Sequence, residues 1–255
     1  MNSIKTPEWK TVDQPPILLE NTIDLWLVDL NPAGYEFPAA VGSVFSTDEL
    51  ERAARFRFDR HRRQYLVGRQ QLRHILGAYA QTNPADIQFR YGEYGKPFLA
   101  SSASHGLSEI QFNLSNSHEM ALIGVSRLAK IGVDIEYRDR HIWDVDNLAS
   151  SVFTDQEQAE LAEYPADQRL IPFLSGWTRK EAYLKGVGKG LALPLKGFSV
   201  ELKNSNASPD ISIPEWGLES FWSTSEYLSA VAFPASQSRP DFRWFKFDES
   251  LISSN

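Results

Sequence analysis

One stretch of this chain repeats itself 108 residues later, and that repeat limits the architecture more than any other feature. Val44-Phe45-Ser46-Thr47-Asp48-Glu49 is echoed by Val152-Phe153-Thr154-Asp155-Gln156-Glu157, and Tyr65-Leu66-Val67-Gly68 by Phe173-Leu174-Ser175-Gly176, so both pairs begin 108 residues apart. At the same offset the segment 23–27 (IDLWL) falls on 131–135 (IGVDI). Three matches in one register argue for an old duplication. Two similar subdomains related by a pseudo-twofold axis are therefore expected, divided at residues 1–130 and 131–255, with a site at their interface.

Each half carries the same coarse pattern of strand, capped helix, long helix and further strands. Ser46-x-x-Glu49 and Thr154-x-x-Glu157 are capping boxes, in which a hydroxyl accepts from an orphan amide while the glutamate reaches back. Apolar residues at helical spacing predict long helices over 60–79 and 168–185. Short or alternating apolar runs predict strands over 23–30, 121–126, 131–136, 198–202 and 228–233. The Ser-, Asn- and Pro-rich segment 204–214 predicts a surface loop, and Phe242, Trp244 and Phe247 predict a last docked strand. The fold class is mixed α+β.

Composition narrows the function. With 255 residues and 42% hydrophobic content the chain can bury a real core. A formal net charge of −7 argues against a general nucleic-acid binder. The absence of cysteine excludes disulfides, thiolate metal sites and a cysteine nucleophile, and suits a reducing compartment. The polar first fourteen residues lack a secretion signal, and no run of about 18 apolar residues occurs. A soluble cytoplasmic protein is expected.

Three segments carry chemistry. In Ile131-Gly132-Val133-Asp134-Ile135-Glu136 a strand turns the aliphatic residues one way and Asp134 and Glu136 the other. Two carboxylates one strand step apart suit a hard divalent cation, and equally an exposed acidic face. In Trp177-Thr178-Arg179-Lys180-Glu181-Ala182-Tyr183-Leu184-Lys185, helical spacing puts Trp177, Glu181 and Lys185 on one face, as a ligand site or a solvated Glu–Lys pair. Gly186-Val187-Gly188-Lys189-Gly190 follows the helix and has no Ser or Thr after its lysine, so it is a helix stop and turn, not a phosphate-cradling loop. The third segment, Phe112-Asn113-Leu114-Ser115-Asn116-Ser117-His118 with Tyr94-Gly95-Lys96-Pro97 before it, offers small polar groups and a cation to phosphate oxygens, or forms a simple turn. Arg52, Arg55, Arg57, Arg60, Arg62, Arg63, Arg69 and Arg73 crowd the first half and suggest an anionic ligand there, against the plain alternative of a solvated helix face.

Taken together and in this order, YGKP (94–97), FNLSNS (112–117), GVDIE (132–136) and WTRKEAYLKGVGKGLALPL (177–195) resemble the surfactin-type 4′-phosphopantetheinyl transferases. The resemblance spans about 44–202 and implies that family's duplicated fold. It implies transfer of the 4′-phosphopantetheine arm of coenzyme A to a serine of an apo acyl or peptidyl carrier protein, leaving 3′,5′-ADP. Asp134, Glu136 and Glu181 would hold Mg²⁺ with the pyrophosphate, and Glu181 would help take the serine proton. Lys185 would neutralise the phosphate under attack and protonate the leaving group. Lys96, Ser115, Arg60 and then Arg52 would grip the nucleotide phosphates. Asn116 stands where the family commonly has histidine, and a neutral amide replaces a cation there; His118, two residues on, is expected to face the same side. Neither Asp134 nor Glu181 is expected in the core. A carrier-docking groove is expected at the junction of the halves, and the duplication makes a monomer the default. A magnesium-dependent nucleotide phosphohydrolase and a catalytically silent coenzyme A-binding module are the competing readings.

Overall fold

The computed structural model describes residues 5–32, 44–100, 109–128, 130–140, 142, 144–203, 213, 215–235 and 239–247. The short strand β1 (Lys10–Val12) lies at the rim of a five-stranded sheet. At its centre is β2 (Thr22–Asp29), buried at every position but the last. Its side chains alternate between two cores. Ile23, Leu25 and Leu27 join one cluster, and Trp26 and Val28 join the other, as the period of two requires.

The helices follow the caps. Glu49 reaches back to the Ser46 amide at 2.9 Å to open α1 (Thr47–Ala54), and α2 (Asp59–Tyr79) follows it. A small hairpin comes next, β3 (Phe89–Tyr91) with β4 (Pro97–Leu99). Then β5 (Gln111–Ser117) and β6 (Met120–Ser126) complete the first sheet. The second half opens with β7 (Gly132–Tyr137), α3 (Val145–Val152), α4 (Asp155–Ala162) and α5 (Leu170–Val187). Its sheet is finished by β8 (Trp216–Thr224) and β9 (Tyr227–Pro234). The last strand, β10 (Asp241–Phe247), returns to the first sheet and runs parallel between β1 and β2, giving the order β1-β10-β2-β6-β5. The second sheet is antiparallel, in the order β7-β9-β8.

The offset of 108 survives in the structure. Helices α1 and α4 keep it at both ends, and α2 and α5 keep it at their last residues, Tyr79 and Val187. The pairing β2-β6-β5 recurs as β7-β9-β8. Both capping glutamates do more than cap. Glu49, 1% exposed, takes Arg69 Nε at 2.7 Å and Arg73 Nε at 2.8 Å from α2. Glu157, also 1% exposed, takes Lys180 Nζ at 2.8 Å from α5 and the Val200 amide. A buried carboxylate demands such partners, so in each half the short helix is fastened to the long one by an ion pair inside the core.

One strand expectation is overturned. Residues 198–202 form no strand beyond an isolated bridge at Val200. Carbonyls in and beside this segment go to buried cations of α5 instead: Lys180 takes those of Phe198 and the preceding Leu195, and Arg179 takes those of Glu201 and the following Lys203. The loop expected over 204–214 lies outside the described residues except for Ile213. Among the described residues no helix is long and apolar enough to cross a membrane.

The buried glutamate makes a stability prediction. Glu49→Ala strands two arginines in the core and is expected to cost about 3–5 kcal/mol, read as a lower urea midpoint. Glu51→Ala, which removes the exposed partner of Arg55, is expected to cost under about 1 kcal/mol.

Candidate active site

β5 and β7 are edge strands of different sheets, and side chains join them. Asn113 Oδ1 accepts from the Val133 amide at 2.8 Å. Ser115 Oγ donates to Asp134 Oδ1 at 2.8 Å. Ser117 Oγ donates to Glu136 Oε2 at 2.9 Å and accepts from the Tyr137 amide at 3.1 Å. Every second residue of β5 thus holds the next station along β7, which fixes where the two carboxylates stand. The sequence marked Ser115 in this set but not Asn113 or Ser117; the strand alternation that carries Ser115 to this face carries them too.

The helix comes in from the other side. A Cβ on Gly132 would stand 2.0 Å from the Ala182 carbonyl oxygen and 2.2 Å from the Gly186 nitrogen, so only glycine lets β7 lie against the main chain of α5. This brings the expected face of α5 onto the carboxylates. Trp177 Nε1 donates to Glu136 Oε1 at 2.9 Å, and Lys185 Nζ donates to Asp134 Oδ1 at 2.6 Å and to Ser115 Oγ at 2.7 Å. Gly188 then ends the helix at φ 77°, in the left-handed region, as the glycine run suggested. Arg179 and Lys180, inside the same motif, point into the core and belong to the scaffold.

The acidic face of β7 is not exposed. Asp134 is 3% exposed and Glu136 8%, which corrects the expectation that Asp134 lies outside the core. Burial pushes the Asp134 carboxyl upward and the Lys185 ammonium pulls it back. Burial also raises Glu181; Lys185 lowers it and Glu136 adds to the rise. Asp134 Oδ2 is buried and has no hydrogen-bond partner, an unusual state for a buried carboxylate oxygen. Glu136 is the opposite case, because Arg140 Nη1 also donates to its Oε1, at 2.8 Å. As placed, no three His, Cys, Asp or Glu side chains among the described residues converge closely enough to hold a metal ion.

The even-numbered side of the β5 edge faces elsewhere. Leu114, Asn116 and His118 line a cavity of about 770 Å³ together with Arg52, Phe56, Arg60, Gln64 and Tyr65, and with Tyr91, Gly95 and Pro97 of the hairpin. His118 sits in the β5–β6 turn at φ 53°, not on the strand, yet it reaches the same cavity as Asn116. Arg60 lies 3.4 Å from His118 Nδ1 and pairs with Glu119 at 3.0 Å. Arg52 lies over the Tyr65 ring at 5.4 Å. Arg69 and Arg73, counted with the basic cluster, both pair with the buried Glu49, and Arg69 also lines the cavity.

Lys96 has a distinct position. Its Nζ donates to the Ile131 carbonyl at 2.9 Å and to the Gly186 carbonyl at 3.0 Å. It therefore ties the hairpin turn to the start of β7 and the end of α5. Burial, with Lys130 adding to it, lowers this ammonium to about 8.

Comparison with known proteins identifies the family. Residues 130–232 match the model of the 4′-phosphopantetheinyl transferase superfamily, and residues 29–127 match that of the 4′-phosphopantetheinyl transferase N-terminal region. The chain is 34% identical to the 4′-phosphopantetheinyl transferase HetI of Nostoc over 231 residues, 90% of this chain and 95% of the relative. It is 30% identical to the transferase ffp of Bacillus subtilis over 83% of this chain and 90% of that one. With the transferase Sfp of the same species it shares 28% identity over 78% and 85% of the two chains.

The Lys96 anchor has a pH signature. Between about pH 8 and 10.5 the folded protein has released a proton that the unfolded chain still holds, so raising the pH through this window stabilises the fold. Lys96→Met lacks that proton. Its stability relative to wild type is expected to fall as pH rises from 8 to 10, followed by urea unfolding at fixed ionic strength.

Proposed function

The chain belongs to the 4′-phosphopantetheinyl transferase superfamily, and on that premise we propose that it moves the phosphopantetheine arm of coenzyme A, with Mg²⁺, onto a serine of an apo acyl or peptidyl carrier protein. The observation that carries the metal-dependent part is Asp134 Oδ2, a buried carboxylate oxygen with no donor. Glu181 likewise receives no hydrogen bond among the described residues. A hard divalent cation is the partner that such oxygens suit. Asp134, Glu136 and Glu181 are the proposed ligands, and Mg²⁺ bound there supplies charge neutralisation for the pyrophosphate.

The protein's own groups divide the remaining work. The carrier serine oxygen attacks the phosphorus that bears the pantetheine arm. Its bond to phosphorus forms as the bond from that phosphorus to the 3′,5′-ADP oxygen breaks. The serine proton passes to the Glu181 carboxylate, whose raised proton affinity makes it a better base than an ordinary glutamate. Lys185, held on Asp134 and Ser115, offers positive charge to the phosphoryl oxygens and a proton to the leaving group. The nucleophile is the partner's, so the transferase needs no cysteine or serine of its own for covalent catalysis.

The division at residue 130 belongs to the same proposal. Every residue that lines the large cavity comes from the first part of the chain, while the four charged residues given chemical roles come from the second. This supports nucleotide phosphates in the cavity, near Arg60, Arg52 and Asn116, and phosphoryl transfer at the β7–α5 contact. Lys96 and Ser115 then shape the boundary between the two, since their polar atoms are already engaged across it. One chain supplies both parts, which supports action as a monomer.

Intact mass of an apo carrier protein incubated with this protein, coenzyme A and Mg²⁺ tests the proposal. A gain of about 340 Da, the mass of the arm, is expected, and EDTA abolishes it. Asp134→Ala and Glu181→Ala are each expected to lower transfer by about 100-fold or more. Full activity in either variant overturns the site, and phosphate release without any change in carrier mass points to a hydrolase instead. Asn116→His restores a titratable cation and is expected to leave coenzyme A binding unchanged or tighter, followed by calorimetry.

A further inference from the structure

Three donors meet on Glu136. Ser117 Oγ takes Oε2, while Trp177 Nε1 and Arg140 Nη1 share Oε1 at 2.9 and 2.8 Å. The three are not equivalent. Ser117 is fixed by its strand, and it also accepts the Tyr137 amide. Trp177 is fixed by α5 and by Phe173, whose ring it stacks on at 6.4 Å with an interplanar angle of 16°. Arg140 lies just past the end of β7, after the turn closed by its amide on the Tyr137 carbonyl. Its side chain is 50% exposed against 11% for Glu136, so its guanidinium exchanges this contact for water at little cost. Its only ion pair among the described residues is with Glu136.

We propose that Arg140 is a placeholder cation on Glu136, which an incoming divalent metal ion displaces, while Trp177 and Ser117 hold the carboxylate in position through the exchange. The inference rests on the reading of Asp134, Glu136 and Glu181 as the metal ligands. It also accounts for their failure to converge: Asp134 keeps an oxygen free of donors, whereas both Glu136 oxygens are in use. Arginine suits this task because its planar donors satisfy a carboxylate oxygen without entering a metal's shell. Trp177 suits the opposite one, since an indole N–H can orient an oxygen but carries no charge to compete with a cation.

The two residues therefore have effects of opposite sign on metal binding. Mn²⁺ is the probe, titrated into wild type, Arg140→Gln and Trp177→Phe in the presence of coenzyme A, with free Mn²⁺ read by electron paramagnetic resonance. Arg140→Gln is expected to bind Mn²⁺ about two- to five-fold more tightly, the range that an exposed ion pair accounts for. Trp177→Phe keeps the ring stacking, loses the N–H, and is expected to bind about ten-fold or more weakly. The half-saturating Mg²⁺ concentration for transfer moves in the same directions. Unchanged or weaker Mn²⁺ binding in Arg140→Gln overturns the placeholder role while leaving the ligand assignment intact. Unchanged binding in Trp177→Phe overturns its positioning role. If wild type binds no Mn²⁺, the ligand set itself is wrong and the inference falls with it. A rise in the KM for coenzyme A as the main effect of Arg140→Gln would mark Arg140 as a phosphate contact and overturn the proposal.

Discussion

The rest of the molecule depends on the seam where β5 meets β7. Both are edge strands, and an exposed edge is a liability because its unpaired amides and carbonyls invite another strand. Here the two edges cover each other, and side chains replace the ladder. Asn113 caps a β7 amide, and Ser115 and Ser117 meet Asp134 and Glu136. A ladder would have consumed main-chain groups only. Side-chain tethers draw the carboxylates into the joint, so the contact that unites the two halves also aims the acidic groups.

A helix arrangement that recurs 108 residues later is put to two uses. In both halves a short capped helix is pinned to a long helix by a glutamate buried among cations: Glu49 with Arg69 and Arg73, and Glu157 with Lys180. Such pairs contribute little net stability over apolar packing but punish any misplacement, because a lone buried charge is expensive. They fix the long helices. In the first half the helix fixed in this way presents Arg60, Gln64 and Tyr65 to an open cavity. In the second it presents Trp177, Glu181 and Lys185 to a closed seam. One arrangement thus gives a wide cavity wall and a narrow, largely buried contact.

What could be read from the sequence depended on whether a position obeys a local rule. The caps, the long helices and the alternation of Asp134 and Glu136 follow from spacing alone, and the element bounds keep the 108-residue offset that the motifs suggested. The strand at 111–117 was hard to see because the face it turns to β7 is polar: Asn113, Ser115 and Ser117 are satisfied by a partner strand that no local pattern reveals. For the same reason the contact of Lys96 with the Ile131 and Gly186 carbonyls could not be read, since nothing nearby in sequence announces it. Arg179 and Lys180 were hidden by a motif that mixes scaffold and chemistry within five residues. Residues 198–202 have strand composition, and buried cations claimed their carbonyls.

The placement of β10 bears on how the chain acquires this form during synthesis. Because β10 lies between β1 and β2, the first sheet stays split until residues 241–247 have left the ribosome, and β1 has no neighbour until then. The amino-terminal half, although its helices and β2-β6-β5 ladder are translated early, must wait with one flank of β2 open. Closure of this sheet therefore waits on β10, and a chain cut before residue 241 would leave β1 without a partner strand.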